Sequence, residues 1–188
     1  MGSDPLFVRR SDVFDVWFQW FTMMIGLDVH YGDAAIIAAL VGWAAWTDAV
    51  AARELVDTHA PDPAPYVPGA FFERELPYLA AIIARVTDPI ELIVVDGYVW
   101  LGPDRKGLGV HVHERFGVPV IGVAKTAFAG ATPAQVVRGG SASPLFVTSI
   151  GIEQDVAAAH IAAMHGPFRI PTLLKRADSL ARGHAKPI

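Results

Sequence analysis

The sequence contains no cysteine, which excludes disulfide bonds and any zinc centre built on thiolates and permits a reducing compartment. Charge is scarce as well: Asp, Glu, Lys and Arg make up 18% of the 188 residues, against 53% hydrophobic. That balance, with a mean hydropathy of +0.37, excludes a disordered chain and suits a sheet buried on both faces. A long apolar run is missing too. The most hydrophobic stretch, Ala34 to Trp46, spans 13 residues before Thr47 and Asp48, whereas a membrane helix takes about 20. Residues 1–10 lack a basic segment leading into an apolar one, so no secretory signal is expected. The expectation is a soluble, cytoplasmic protein that does not engage a membrane, a monomer with one domain over residues 1–188.

Net charge is −4 and the pI near 5.9, which by itself argues against a nucleic-acid binder. The distribution differs from the sum. Residues 1–98 carry 5 Lys/Arg and 14 Asp/Glu, a balance of −9, and residues 99–188 carry 10 and 5, a balance of +5. Such asymmetry fits an acidic metal site beside a basic phosphate-contacting surface, and fits equally a chance clustering of solvated charges.

Apolar spacing lays out alternating strands and helices. Ser11 can cap a helix whose Val13, Phe14, Trp17, Trp20, Phe21 and Met24 recur at helical intervals. Residues 24–31 read as a strand with Gly26, Asp28 and His30 on one face. Residues 34–56 suit either an alanine-rich helix or a hairpin. A loop over 58–69 holds four prolines, and a helix over 71–86 follows. Strands are expected over 91–96, 118–124 and 144–149, and helices over 107–116, 154–165 and 172–182. This order predicts an α/β fold with a central mixed β-sheet flanked by helices.

Asp28 and Asp96 lie in or at the ends of apolar strands, where a carboxylate is costly unless paired or metal-bound. Ligands of open α/β sheets gather beyond the carboxyl ends of strands. Two such aspartates with a glutamate would make a hard, oxygen-rich site suited to Mg²⁺ or Mn²⁺. Taken singly, an Asp before Gly, as at Asp96-Gly97, is a common turn former. His111 and His113 do not share a helical face, so no zinc quartet emerges. Gly107-Leu108-Gly109 lacks the third glycine of a dinucleotide loop.

Pro65-Tyr66-Val67-Pro68-Gly69, Glu73-Arg74-Glu75, Val94-Val95-Asp96-Gly97 and Ile121-Gly122-Val123-Ala124-Lys125 resemble, in order and spacing, the motifs of endonuclease V. Asp28, within Gly26-Leu27-Asp28-Val29-His30-Tyr31, matches that family's first-strand aspartate. Pro144-Leu145-Phe146-Val147 and Arg169-Ile170-Pro171 through Arg176-Ala177-Asp178 match its closing segments, so the resemblance runs over about residues 24–182.

The resemblance implies an RNase H-like fold and a Mg²⁺-dependent endonuclease, with Mn²⁺ as a substitute. The substrate would be DNA or RNA containing inosine, cut at the second phosphodiester bond on the 3′ side. Carried over, Asp28, Glu75 and Asp96 are the metal ligands, Asp178 completes the site, and Lys125 lies near the scissile phosphate. Tyr66 is the wedge that fills the gap left by the extruded base, with Pro65 and Pro68 stiffening its loop. Gly69 and Gly97 let backbone approach that base, and His111 follows the family pattern on the substrate side.

Departures stand beside these matches. Gly102-Pro103 replaces a family His-Pro pair, a second family histidine aligns with Ile152, and the segment between Lys125 and Ser141 is short. A catalytically weakened nucleic-acid binder of the same fold is therefore the alternative. Arg169, Lys175, Arg176, Arg182 and Lys186 read as a cluster for backbone phosphates or as an exposed helix face.

Overall fold

The computed structural model describes residues 22–61 and 71–188. The N-terminal helix expected after Ser11 lies outside them. Strands β1 (Met23–Tyr31), β2 (Ile36–Trp43) and β3 (Arg53–His59) form an antiparallel meander. Helix α1 (Phe71–Ile83) then leads to β4 (Ile90–Asp96), a small hairpin of β5 (Trp100–Gly102) and β6 (Arg105–Lys106), and α2 (Leu108–Phe116). The chain closes with β7 (Val120–Ala124), β8 (Ala134–Val136), β9 (Leu145–Ile150), α3 (Gln154–Ala163) and α4 (Thr172–Ala181).

Seven strands form one sheet in the order β3-β2-β1-β4-β7-β9-β8. The central β1, β4 and β7 run parallel, and the flanking pairs are antiparallel, so the sheet is mixed as expected. Alternation sorts its side chains into two cores. Ile25, Leu27, Ile93 and Val95 pack with Leu79 and Ile82 of α1 and Val110 and Val112 of α2. Met24, Val94, Ile121 and Val123 pack with Ala157 and Ile161 of α3 and Leu173, Ala177 and Leu180 of α4.

Residues 34–56 settle as a hairpin. Both faces of β2 are covered, Ile36, Ala38 and Leu40 by one core and Ala39, Val41 and Trp43 by the other, and burial on two faces outweighs the helical leaning of alanine. Asp48 shapes the connecting loop, its carboxylate accepting from the Ala44 and Ala45 amides at 3.1 and 2.8 Å. Strand β3 continues through His59, two residues into the stretch expected as loop. The β5–β6 hairpin and β8 carry too few residues for a periodic signal and were not anticipated.

Glycine leaves room where elements crowd. A Cβ on Gly26 would stand 3.1 Å from Leu174 of α4, and one on Gly107 2.4 Å from the Tyr98 carbonyl oxygen. Gly117 ends α2 in the left-handed region at φ 71°.

Candidate active site

Three parallel strands deliver three charged groups to one edge. Leu27 of β1 is level with Val95 of β4, and Asp96 with Val123 of β7. Asp28 and Asp96 thus lie one position beyond a buried apolar pair, and Lys125 lies two beyond Val123. Side-chain alternation places all three on the α4 side, in line with Met24, Val94 and Ile121. Asp178 of α4 joins them there, while Glu75 enters from α1 on the inward face it shares with Leu79 and Ile82. All five residues line one open cleft of about 760 Å³. A smaller cavity of about 340 Å³ continues beneath Asp28 and Asp96 against Ile170 and Leu174.

The acids share a confined field. Burial, then the charge of Asp96, pushes Asp28 up to about 7, opposed in part by Lys125. Glu75, 7% exposed, is pushed up to about 9, chiefly by burial and then by Asp28 and Asp96. Burial would also raise Asp178. Hydrogen bonds from Lys175 at 2.6 Å and Arg182 at 2.8 Å outweigh it and hold Asp178 at about 2. Burial works against the Lys125 charge too, but the 2.5 Å bond to Asp96 and the surrounding acids raise its pKa.

Clustered carboxylate oxygens are the donor set that a hard divalent cation takes, and Asp28, Glu75 and Asp96 are the donors this cleft offers. Their side chains do not yet form a closed cage. Among the described residues no three His, Asp or Glu side chains stand together as a metal-holding group, and Lys125 occupies one oxygen of Asp96. A bound cation and the Lys125 ammonium would therefore compete for Asp96.

The other expected positions are dispersed. Gly97 lines the cleft at φ +135°, a backbone state that L side chains rarely adopt, with open space where a Cβ would point. His111 stacks on Phe72 at 3.6 Å between ring centres and faces Glu114; it is not among the residues lining the cleft. Tyr66, Pro65, Pro68 and Gly69 lie outside the described residues. Gly102 ends β5, and Ile152 packs against the α3 and α4 core.

Four of the five C-terminal cations are engaged by the protein itself. Arg176 pairs with Glu54 through two bonds of 2.7 and 2.8 Å, Lys175 and Arg182 hold Asp178, and Arg169 donates to backbone carbonyls. Arg182 nevertheless lines the cleft, a place that its i+4 spacing from Asp178 could have signalled. Tyr31 lines it as well, its ring under the Arg74 guanidinium at 4.0 Å and its hydroxyl donating to the Arg74 carbonyl.

The sequence model described as endonuclease V matches residues 8–166. An endonuclease V of Streptomyces avermitilis is 35% identical over 181 residues, covering 84% of this chain and 78% of the relative. That of Nocardia farcinica is 31% identical, covering 86% and 80%. The crystal structure of endonuclease V from Streptomyces avermitilis superposes with a TM-score of 0.72 at 31% identity, covering 88% of this chain and 82% of that one. The fold also matches endonuclease V of Ciona intestinalis, solved with a DNA 23-mer containing an inosine followed by a ribo-adenosine. Its TM-score is 0.69 at 16% identity, covering 89% and 86%.

Proposed function

The chain belongs to the endonuclease V family, and from that premise we propose that it is a metal-dependent endonuclease acting on inosine-containing strands, which it hydrolyses at the second phosphodiester bond 3′ to the inosine. The observation that carries this reading is the convergence of Asp28, Asp96 and Lys125 on one edge of the sheet, with Glu75 and Asp178 lining the same cleft. A purely binding surface for a polyanion gains nothing from clustered carboxyl groups, which are costly to bury and repel phosphate once ionised.

Asp28, Glu75 and Asp96 would hold the divalent cation, which when bound supplies Lewis-acid stabilisation of charge on the phosphate and leaving oxygen. Water attacks phosphorus and the P–O3′ bond breaks. The 3′ oxygen leaves as a hydroxyl, and the phosphate stays on the 5′ end of the downstream fragment. Lys125 contributes a point charge to the phosphoryl oxygens once its bond to Asp96 is exchanged for the substrate. Asp178, pinned by Lys175 and Arg182, remains ionised throughout and completes the acidic wall. Tyr66 is proposed as the wedge, and the open space at Gly97 suits close approach of the extruded base.

The test is cleavage of end-labelled strands carrying one inosine, as DNA and as RNA, with Mg²⁺, with Mn²⁺ and with chelator. Metal-dependent nicking at the second bond 3′ to the inosine is expected. Tight binding with no nicking under any metal would instead favour the weakened binder, for which Gly102 and Ile152 at the family's histidine positions are the specific argument.

A further inference from the structure

Two arginines outside the carboxylate set brace the strand that carries Lys125. Arg169 stands just before α4, and its Nη2 donates to the carbonyl oxygens of Lys125 and of Pro144, the latter at 2.7 Å. These carbonyls flank the point where β7 and β9 part. The last pair in register is Ala124 with Phe146, and Pro144 has no N–H to offer across the gap. Beyond that last pair the guanidinium ties the two strands together through both carbonyls.

Arg169 is itself held. Arg138 Nη1 donates to the carbonyls of Phe168 at 3.0 Å and Arg169 at 3.4 Å, and its Nη2 donates to those of Met164 and, at 3.1 Å, Gly166. The next residue, Gly139, presses on the same segment: at φ +60°, a Cβ there would stand 2.2 Å from the Phe168 carbonyl carbon. Residues 164–169 therefore form a fixed bracket between β8 and α4. From that bracket Arg169 holds the Lys125 carbonyl, and the Lys125 ammonium meets Asp96 at 2.5 Å.

We propose that Arg169 is a positioning residue for the nuclease reaction: by fixing the Lys125 carbonyl it sets where the Lys125 ammonium stands relative to Asp96 and the scissile phosphate. This rests on the nuclease reading above. In this role Arg169 acts through the backbone, its guanidinium directed to two carbonyl oxygens. One planar guanidinium can serve two carbonyls at fixed directions, which a lysine ammonium on a flexible stem does not reproduce.

The experiment is a double-mutant cycle on the full chain with an inosine-containing single strand, measuring the single-turnover cleavage rate and, separately, strand affinity in chelator. Arg169→Gln is expected to slow cleavage about 10- to 100-fold, the scale of a misplacement near 1 Å, with affinity within about twofold. Arg169→Lys should fold and fall between the two. In a Lys125→Met background the same Arg169 substitutions should change the rate by less than about threefold, because the group they position is gone. An equal slowing in both backgrounds, or a wild-type rate in Arg169→Lys and Arg169→Gln, overturns the positioning role. If the unaltered protein fails to cleave, the nuclease reading itself falls first; if it cleaves and the cycle is additive, only the role of Arg169 is lost.

Discussion

Asp28 and Glu75 keep their protons well above the ordinary carboxylate range because they are buried together beside Asp96. Between about pH 4 and 7 the folded chain binds the Asp28 proton and the unfolded chain does not, and the same holds for Glu75 up to about pH 9. Stability in chelator is therefore expected to fall as pH rises through this window, with a thermal midpoint lower at pH 8 than at pH 5.5. Asp28→Asn should flatten that slope. Added Mn²⁺ should raise the midpoint more at pH 8 than at pH 6, since cation and proton compete for the same oxygens. Asp96→Asn is expected to lower cleavage by about 10³-fold or more, equivalent to about 4 kcal/mol, while leaving strand affinity equal or tighter; a wild-type rate would remove Asp96 from the site. Tyr66→Ala should reduce the preference for inosine over guanosine strands without changing metal dependence, and an unchanged preference would sink the wedge. Asp28 and Asp96 could be read from the sequence because a carboxylate ending an apolar run is costly without a partner. Arg169 was marked by the family motif, but its bonds to the Lys125 and Pro144 carbonyls were not, since a side chain bonded to backbone leaves no pattern in spacing.

At the scale of elements, β7 and its neighbours transmit packing to the cleft. Gly122 faces the turn after β4: a Cβ there would stand 2.6 Å from the Gly97 oxygen and 2.8 Å from the Val99 nitrogen. Thr148 of β9, 2% exposed, accepts the Val99 amide at 2.8 Å. Gly122→Ala is expected to cost about 1–3 kcal/mol through overpacking, and Thr148→Val about 1–3 kcal/mol by leaving that amide unpaired. Urea midpoints check both, and a shift below about 0.5 kcal/mol in either would show that the turn yields easily. Strands β1, β4, β7 and β9 were legible within a few residues as short apolar runs, and helices α1, α2, α3 and α4 from spacing and the breaks around them. The hairpin of β2 and β3 was not, since alanine carries no period and only the two covering layers decide its state.

At the scale of the whole molecule, the basic half of the chain is mostly committed internally. Of its ten Lys and Arg, Lys106, Lys125, Arg138, Arg169, Lys175, Arg176 and Arg182 donate to carboxylates or carbonyls of the protein. That leaves Arg105, Arg115 and Lys186. Few of these ten cations are then free to displace counterions, and the salt dependence of single-strand affinity is expected to be shallow, with a log–log slope of about −2. A slope beyond about −5 would show that the internal pairs open on binding. The sequence displayed the charge asymmetry but not this commitment, because the partners, such as Glu54 for Arg176, lie up to 122 positions away. Strand length has a consequence of its own. Asp28, Asp96 and Lys125 share a face only because each is an even number of residues from a core position on its strand, so the cleft is written in parity. Inserting one residue before any of them turns that group to the opposite layer, whereas inserting two keeps its face and lifts it by about 6.6 Å. The spacing from Met24 to Asp28, Leu92 to Asp96 and Ile121 to Lys125, four residues in each case, is therefore the invariant by which the site is built.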